Sequence, residues 1–251
     1  MASLKEYHRK RNFQSTPEPK GDERRDAKRS GKVKKRLLCV QKHLASSLHY
    51  DFRLEHNGVL LSWAVPKGPS LNPKDRRLAM HVEDHPLDYG DFEGVIPEGY
   101  GAGIVILWDK GTWQPEPGFE DVDAAMKKGE LKFTLNGVKL KGSWVIVRIR
   151  NDDRTWLLIK HRDEWAGDVD ITQFAPLSVK SGKDFAEILA ADKPAIWESH
   201  EPTKGGAAGK MLRQIIARAA ELKVKKKATA KAKTKTKRTP AKRRKAAAQR
   251  R

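Results

Sequence analysis

The sequence predicts a mainly β protein, a sandwich or barrel of many short strands. Three observations carry this. Short runs alternate apolar and polar residues with period two. Asn-Gly, Gly and Pro signals punctuate them. Helical periodicity is almost absent before residue 184.

Taken in order, residues 3–11 read as a short helix anchored by Leu4 and Tyr7. Residues 14–35 are rich in Pro, Gly and charge, and form an arm lying on a folded body or loose in solvent. The folded domain begins at Leu37. Leu48 to Leu54 alternates strictly: His49, Asp51 and Arg53 face one way, and Leu48, Tyr50, Phe52 and Leu54 the other. Asn57-Gly58 marks a hairpin, with Val59 to Val65 as the return strand. Pro66-Lys67-Gly68-Pro69 ends it. Arg77 to His85 alternates again, with Arg77, Ala79, His81, Glu83 and His85 on one face. Ile104 to Trp108 is a strand, followed by a turn at Asp109-Lys110-Gly111. Glu130 to Leu135 and Val138 to Leu140 flank a second Asn-Gly. Trp144 to Arg150 and Trp156 to Lys160 form a hairpin across Asn151-Asp152-Asp153.

A helix opens at Asp184, with Glu187 completing a capping box, and runs to Ala190. Lys210 to Lys223 reads helical, with Met211, Leu212, Ile215, Ile216 and Leu222 on its apolar stripe. Lys225–Arg251 is Lys/Ala/Thr/Arg low complexity and buries too little apolar surface to order itself. The expected divisions are a basic N-terminal arm (1–36), a β domain (37–165), an extension with a short helix (166–202), and a basic helix with a disordered tail (203–251).

The net charge of +20 is uneven. Residues 203–251 hold 19 Lys/Arg against one acid, Glu221, and residues 1–36 hold 13 against five acids. The middle is therefore acidic and the ends attract polyanions. The tail binds nucleic acid through phosphates without reading sequence, with Lys225, Lys226, Lys227, Arg243 and Arg244 as representative contacts; the bland alternative is a solubilising or targeting tail. The single cysteine, Cys39, excludes an internal disulfide and reads as a small buried apolar residue. No apolar run approaches the roughly 20 residues of a membrane span, and the charged N-terminus lacks a secretory segment. A cytoplasmic, monomeric protein associated with the nucleoid is expected.

The polar face of the His49 strand is the candidate site. It aligns an imidazole, a carboxylate and a guanidinium at steps of roughly 7 Å. His43 lies six residues upstream. Two His and one Asp suit a divalent metal, and an Arg beside them suits a phosphate. A merely solvated strand face is the competing reading. Glu83 and His85 on a second strand favour the site, since neighbouring strands then each offer a polar row. Lys67, Arg76 and Arg77 are phosphate candidates or simply a basic loop surface. His81 reads as an exposed strand residue, and His8, His56, His161 and His200 as solvated. The glycines of Ile96 to Gly103 precede a strand rather than a helix, so they form a tight loop beside the site and not a nucleotide fingerprint.

Read together, Gln41-Lys42-His43, Ser46 to Glu55, Ser62 to Pro69, Val82 to Tyr89 and Gly94 to Pro97 resemble the 3'-phosphoesterase domain of bacterial DNA ligase D, which also occurs in stand-alone form. The resemblance covers roughly residues 4–165, and Tyr7 to Pro19 is similar to the family's N-terminal segment. It implies a small closed or nearly closed β-barrel with a crescent groove, a divalent metal that is typically manganese, and hydrolysis at DNA 3' ends. A 3'-phosphate or a terminal ribonucleotide would be removed to leave a ligatable hydroxyl. It implies His43, His49 and Asp51 as metal ligands, Arg53 and His85 as phosphate contacts with His85 a general acid, and Glu83, Tyr89, Arg11 and Glu18 as supporting residues. Lys67 and Arg77 or Arg76 carry over more weakly. A separate ligase and an end-binding protein are the implied partners. The sequence departs from the family at Asn12, where an acidic residue is usual, and in a glycine loop shorter by one residue before Tyr100. Two other readings remain open here: a non-catalytic DNA-binding accessory, and a metal-dependent nuclease.

Overall fold

The computed structural model describes residues 3–21, 35–149, 152–191 and 207–236. Among these described residues nine strands run in chain order: β1 (Arg36–Leu44), β2 (Leu48–His56), β3 (Val59–Val65), β4 (Arg77–Pro86), β5 (Gly94–Ile96), β6 (Gly103–Pro115), β7 (Glu130–Gly137), β8 (Lys141–Arg148) and β9 (Thr155–Lys160). All pairings are antiparallel, in the order β1-β2-β3-β4-β9-β8-β7-β6-β5, and β1 also pairs with β6. That last pairing closes eight strands into a barrel and leaves β5 as a short appendage on β6. Closure removes the exposed edges of an open sheet.

The barrel is filled by aromatic residues meeting across it. Phe52 of β2 lies 5.9 Å from Phe133 of β7, centroid to centroid, although these strands are not neighbours. Trp63 contacts Phe52 and Trp156, and Trp113 contacts Phe133. The Asn57-Gly58 turn holds φ of 48° and 81°, the pair of positive values that a two-residue hairpin turn demands.

Several sequence expectations are corrected. Asp109-Lys110-Gly111 is not a turn: β6 runs through it, with its register against β1 shifting between Val40 and Gln41. The Asp109 carboxylate accepts the backbone N–H groups of Lys110, Lys139 and Leu140, tying this irregularity to the β7–β8 connection. Residues 138–140 are that connection, and Asn136-Gly137 ends β7. His81 is half-buried against Trp63 and Trp156, because it stands opposite the core residue Trp63. His56 is buried and paired with Asp123. His8 reaches the Lys20 carbonyl and His161 the Ser143 hydroxyl, while His200 lies outside the described residues. Cys39 is fully buried, as expected.

Among the described residues, five α-helices decorate the barrel: α1 (Lys5–Arg9), α2 (Val122–Lys128), α3 (Ile171–Phe174), α4 (Phe185–Ala191) and α5 (Ala207–Thr236). The capping box of α4 is reciprocal. Asp184 Oδ1 accepts from Glu187 N, and Glu187 Oε2 from Asp184 N. Phe185, Ile188 and Leu189 of α4 and Leu212, Ile215 and Ala219 of α5 form a second core with Leu44, Val95, Ile104 and Ile106. Ile216 turns outward instead of joining it. Helix α5 continues to Thr236, past the expected end at Lys223, since Ala and Lys are strong helix formers. Among the described residues, no helix is long and apolar enough to cross a membrane.

Phe133 has no exposed surface. Phe133→Ala should therefore cost about 3–5 kcal/mol by cavity creation, read as a lower denaturation midpoint in urea.

Candidate active site

The pairing of β1 with β2 builds the site. His43 stands opposite His49, Gln41 opposite Asp51, and Cys39 opposite Arg53. On β3, Ala64 faces Asp51 and Ser62 faces Arg53. Residues opposed across a ladder project to the same side. This is the outer side of the sheet, away from Phe52 and Trp63.

One potential ligand atom from each of His43, His49 and Asp51 lies within 4.8 Å of the others. Asp51 Oδ2 is 3.5 Å from His43 Nδ1 and 3.7 Å from His49 Nε2. Those two separations lie below twice a metal–ligand bond of about 2.1 Å, the upper limit for two atoms on one ion, and the widest separation in the set, up to 4.8 Å, must contract to reach it. His49 Nδ1 lies 3.1 Å from the Ser47 carbonyl, which can only accept. The proton therefore sits on Nδ1, and the lone pair of Nε2 points at Asp51. Burial lowers the His49 pKa further and keeps the ring neutral, as a ligand must be. Burial pushes the Asp51 carboxyl up, but the Arg53 guanidinium outweighs this and holds it well below the usual range. Two imidazoles and a carboxylate suit Mn, Fe or Zn, and three protein ligands leave positions open for a substrate.

Arg53 is 2% exposed and fixed by three partners. Nε donates to Gln41 Oε1, Nη1 to Ser62 Oγ, and Nη2 lies 3.3 Å from Asp51. Gln41 Nε2 in turn donates to the carbonyls of Tyr89 and Phe92, so the same residue holds Arg53 and the turn that carries Tyr89.

His85 arrives by an irregularity. The β3–β4 register shifts by one residue between Leu60 and Ser62, so that Trp63 faces His81 but Leu60 faces His85. Trp63 and Leu60 point to opposite sides, and so do His81 and His85. The expectation that Arg77, Ala79 and His81 share a face with His85 is thus corrected. His85 Nδ1 donates to the Glu83 carbonyl at 2.8 Å, and Nε2 accepts from Arg11 Nη2 at 3.1 Å. Burial, then Arg53 and Arg11, hold its pKa well below the ordinary value, so the ring is neutral.

The N-terminal arm completes the enclosure. Tyr7 is buried and donates to the Pro19 carbonyl. Arg11 lies 3.0 Å from Glu18 and 2.9 Å from Glu83, and Lys10 contacts the other Glu83 oxygen. Burial raises the Glu83 pKa, but Arg11 and Lys10 outweigh it and keep the carboxylate ionised. Tyr89 donates to Glu18, and burial followed by the Glu18 charge drives its pKa well up, so its hydroxyl stays protonated. Arg11 and Glu18 of the arm line a cavity of about 530 Å³ together with Glu83, Tyr89, Ala45, Ser46 and the 99–102 loop.

Thus Arg11, Glu18, His43, His49, Asp51, Arg53, Glu83, His85 and Tyr89 share one cavity. Lys67, Arg76 and Arg77 do not line it: the first two are exposed, and Arg77 pairs with Asp75. Lys225 and Lys226 are exposed on α5. The Lys227 side chain, Arg243 and Arg244 lie outside the described residues. Asn12 is exposed and caps the turn at Gln14 rather than entering the cavity. Sequence reasoning overlooked Gln41, Ser62 and Lys10. The first had a signal, since it shares the β1 face of His43; Ser62 becomes visible only once β3 is paired opposite Arg53.

Residues 41–148 match the sequence model of a family described as the DNA Ligase D 3'-phosphoesterase domain. The chain is 47% identical over 213 residues to a protein of Pseudomonas aeruginosa named Multifunctional non-homologous end joining protein LigD, covering 82% of this chain and 24% of that protein. It is 41% identical over 176 residues to a protein of the same name from Mycobacterium bovis, covering 70% of this chain and 22% of that one. The chain thus spans about a quarter of the length of these relatives.

The ligand set generates a direct expectation. Mn²⁺ at a hundredfold excess over its dissociation constant should stabilise the protein by about 2.7 kcal/mol. Thermal denaturation of His49→Ala should show little or no such gain.

Proposed function

The barrel of this chain belongs to the DNA ligase D 3'-phosphoesterase family, and from that premise we propose that the chain is a metal-dependent phosphoesterase of DNA 3' ends. It removes a terminal 3'-phosphate, and a 3'-terminal ribonucleotide, to leave a hydroxyl that a ligase can join in end-joining repair. The observation that carries this reading is the convergence of His43, His49 and Asp51 in the cavity that also holds Arg11, Arg53 and His85.

The chemistry follows from charge. A phosphate monoester dianion repels nucleophiles. Arg53 and Arg11 offset that charge with groups that stay cationic and are already oriented by their carboxylate and amide partners. A divalent cation held by His43, His49 and Asp51 would polarise a phosphoryl oxygen as a Lewis acid. A water oxygen adds to phosphorus, the bond from phosphorus to the 3' oxygen breaks, and that oxygen takes a proton. His85 is the donor. It is neutral beside two guanidiniums, but a phosphate dianion placed against it favours the imidazolium. Substrate binding thus loads the proton that the leaving oxygen requires. Glu83, Glu18 and Tyr89 are positioning residues that hold Arg11 over the site.

The basic segment 203–251 supplies non-specific affinity for DNA and keeps the protein on the chromosome. A separate ligase and an end-binding protein are the partners this activity serves. The non-catalytic reading draws on Asn12 and the basic tail, but Asn12 stands outside the cavity, and a binder has no need of the His43, His49, Asp51, Arg53 and His85 set that lines it.

A primer–template ending in a 3'-phosphate should release phosphate only with a divalent metal, and Asp51→Ala should lower the rate by about 10²–10³-fold or more. Cutting of an internally labelled duplex would show a nuclease, and no turnover on any end would show a binder. Deleting residues 224–251, which leaves in place the part of α5 that packs on the barrel, should weaken DNA binding and flatten its salt dependence, by about 0.9 in log–log slope per lost phosphate contact, with turnover on short ends preserved.

A further inference from the structure

Resting on the reading above, we propose that Tyr100 forms a stacking subsite for the base of the 3'-terminal nucleotide. Tyr100 is 51% exposed, yet it lines the same cavity as His43, His49, Arg53 and His85. The other tyrosine there, Tyr89, is buried and committed to Glu18. A large aromatic left half in water contributes little to a core. It offers a face instead.

The backbone is built to present that face. Tyr100 sits within a turn closed by the Ala102 N–H on the Gly99 carbonyl at 3.2 Å. Gly99 and Gly101, on either side, hold φ of 82° and 81°, which side-chain-bearing residues rarely adopt. At the base of the loop, a Cβ on Gly103 would come within 2.3 Å of the Leu44 carbonyl and 2.8 Å of His43 Nε2. The loop is therefore pressed onto the strand that carries a metal ligand. The ring is also oriented from the arm. Lys10 Nζ lies 4.6 Å from its centroid and 3.5 Å from its hydroxyl, and Lys10 meets Glu83 at 3.0 Å. Arg11, which contacts His85, lies 5.5 Å from the same centroid. One chain of contacts thus links the exposed ring to the groups that would hold phosphate.

The cavity volume fits this division. About 530 Å³ is the size that holds a drug-sized ligand, more than a phosphate group alone requires. With the phosphate among Arg11, Arg53 and His85, the attached nucleoside occupies the remaining space and its base reaches the mouth. Stacking suits the task, because every base has a π-face and a damaged end can carry any of the four.

The test compares two primer–templates with a 3'-phosphate, one with an ordinary terminal nucleotide and one whose terminal sugar lacks its base. On the ordinary end, Tyr100→Ala should raise KM about tenfold with kcat little changed, and Tyr100→Phe should match the wild type. On the base-less end, wild type and Tyr100→Ala should be equal. A primer ending in 2-aminopurine reads the same contact without turnover: its fluorescence should be quenched on binding the wild type and Tyr100→Phe, and much less by Tyr100→Ala. Equal losses on both ends, an unchanged KM, or equal quenching by wild type and Tyr100→Ala would overturn the inference. Because the quenching arm needs no hydrolysis, its result stands even if the proposed chemistry fails.

Discussion

One strand register governs everything at this site. Pairing His43 with His49 also pairs Gln41 with Asp51 and Cys39 with Arg53. A slip of one residue would turn each of these groups into the barrel and bring Val40, Phe52 and Tyr50 out to water. Two features hold the register. The link from Leu44 to Leu48 is only three residues long and is closed by Ala45 N–H on the Ser47 carbonyl. The carbonyl of Ser47 is also the acceptor that orients His49. On the far side, β6 clamps β1 and closes the barrel.

The register brings an electrostatic cost. Asp51 and Arg53 are both buried, and removing such charges from water is expensive unless their remaining donors and acceptors are satisfied. Gln41 and Ser62 accept from Arg53, and Arg53 Nη2 and His43 Nδ1 lie 3.3 and 3.5 Å from the Asp51 carboxylate. The network explains why the charges are oriented before any ligand arrives. The arm adds a further layer. A five-residue helix has no stability of its own, so α1 exists because Leu4 and Tyr7 are fully buried against the barrel. Arg11 is delivered only when that docking occurs, so the site is a composite of barrel and arm.

Much of this was legible in the residues. The period-two face of β2, the Asn57-Gly58 hairpin and the Asp184/Glu187 capping box are local signals, and local physics enforces them. Long-range features were not legible. A single-residue register shift in β4 separates His81 from His85, and no pattern within Arg77 to His85 announces it. Asp109-Lys110-Gly111 has turn chemistry, yet β6 continues because Asp109 finds three backbone donors, two of them from the distant β7–β8 connection. Helix α2 is too short to show periodicity. Lys67, Arg76 and Arg77 were matched by residue type, but whether a cation faces a cavity depends on where the loop carrying it lies.

The proposed chemistry requires two imidazole nitrogens to share one ion with Asp51. Electron spin-echo spectroscopy of the protein with Mn²⁺ as the probe reads this directly through nitrogen couplings. Two coupled imidazoles in the wild type, falling to one in His43→Ala, are the predicted result. Bound manganese with no nitrogen coupling, or a spectrum unchanged by that substitution, would contradict it.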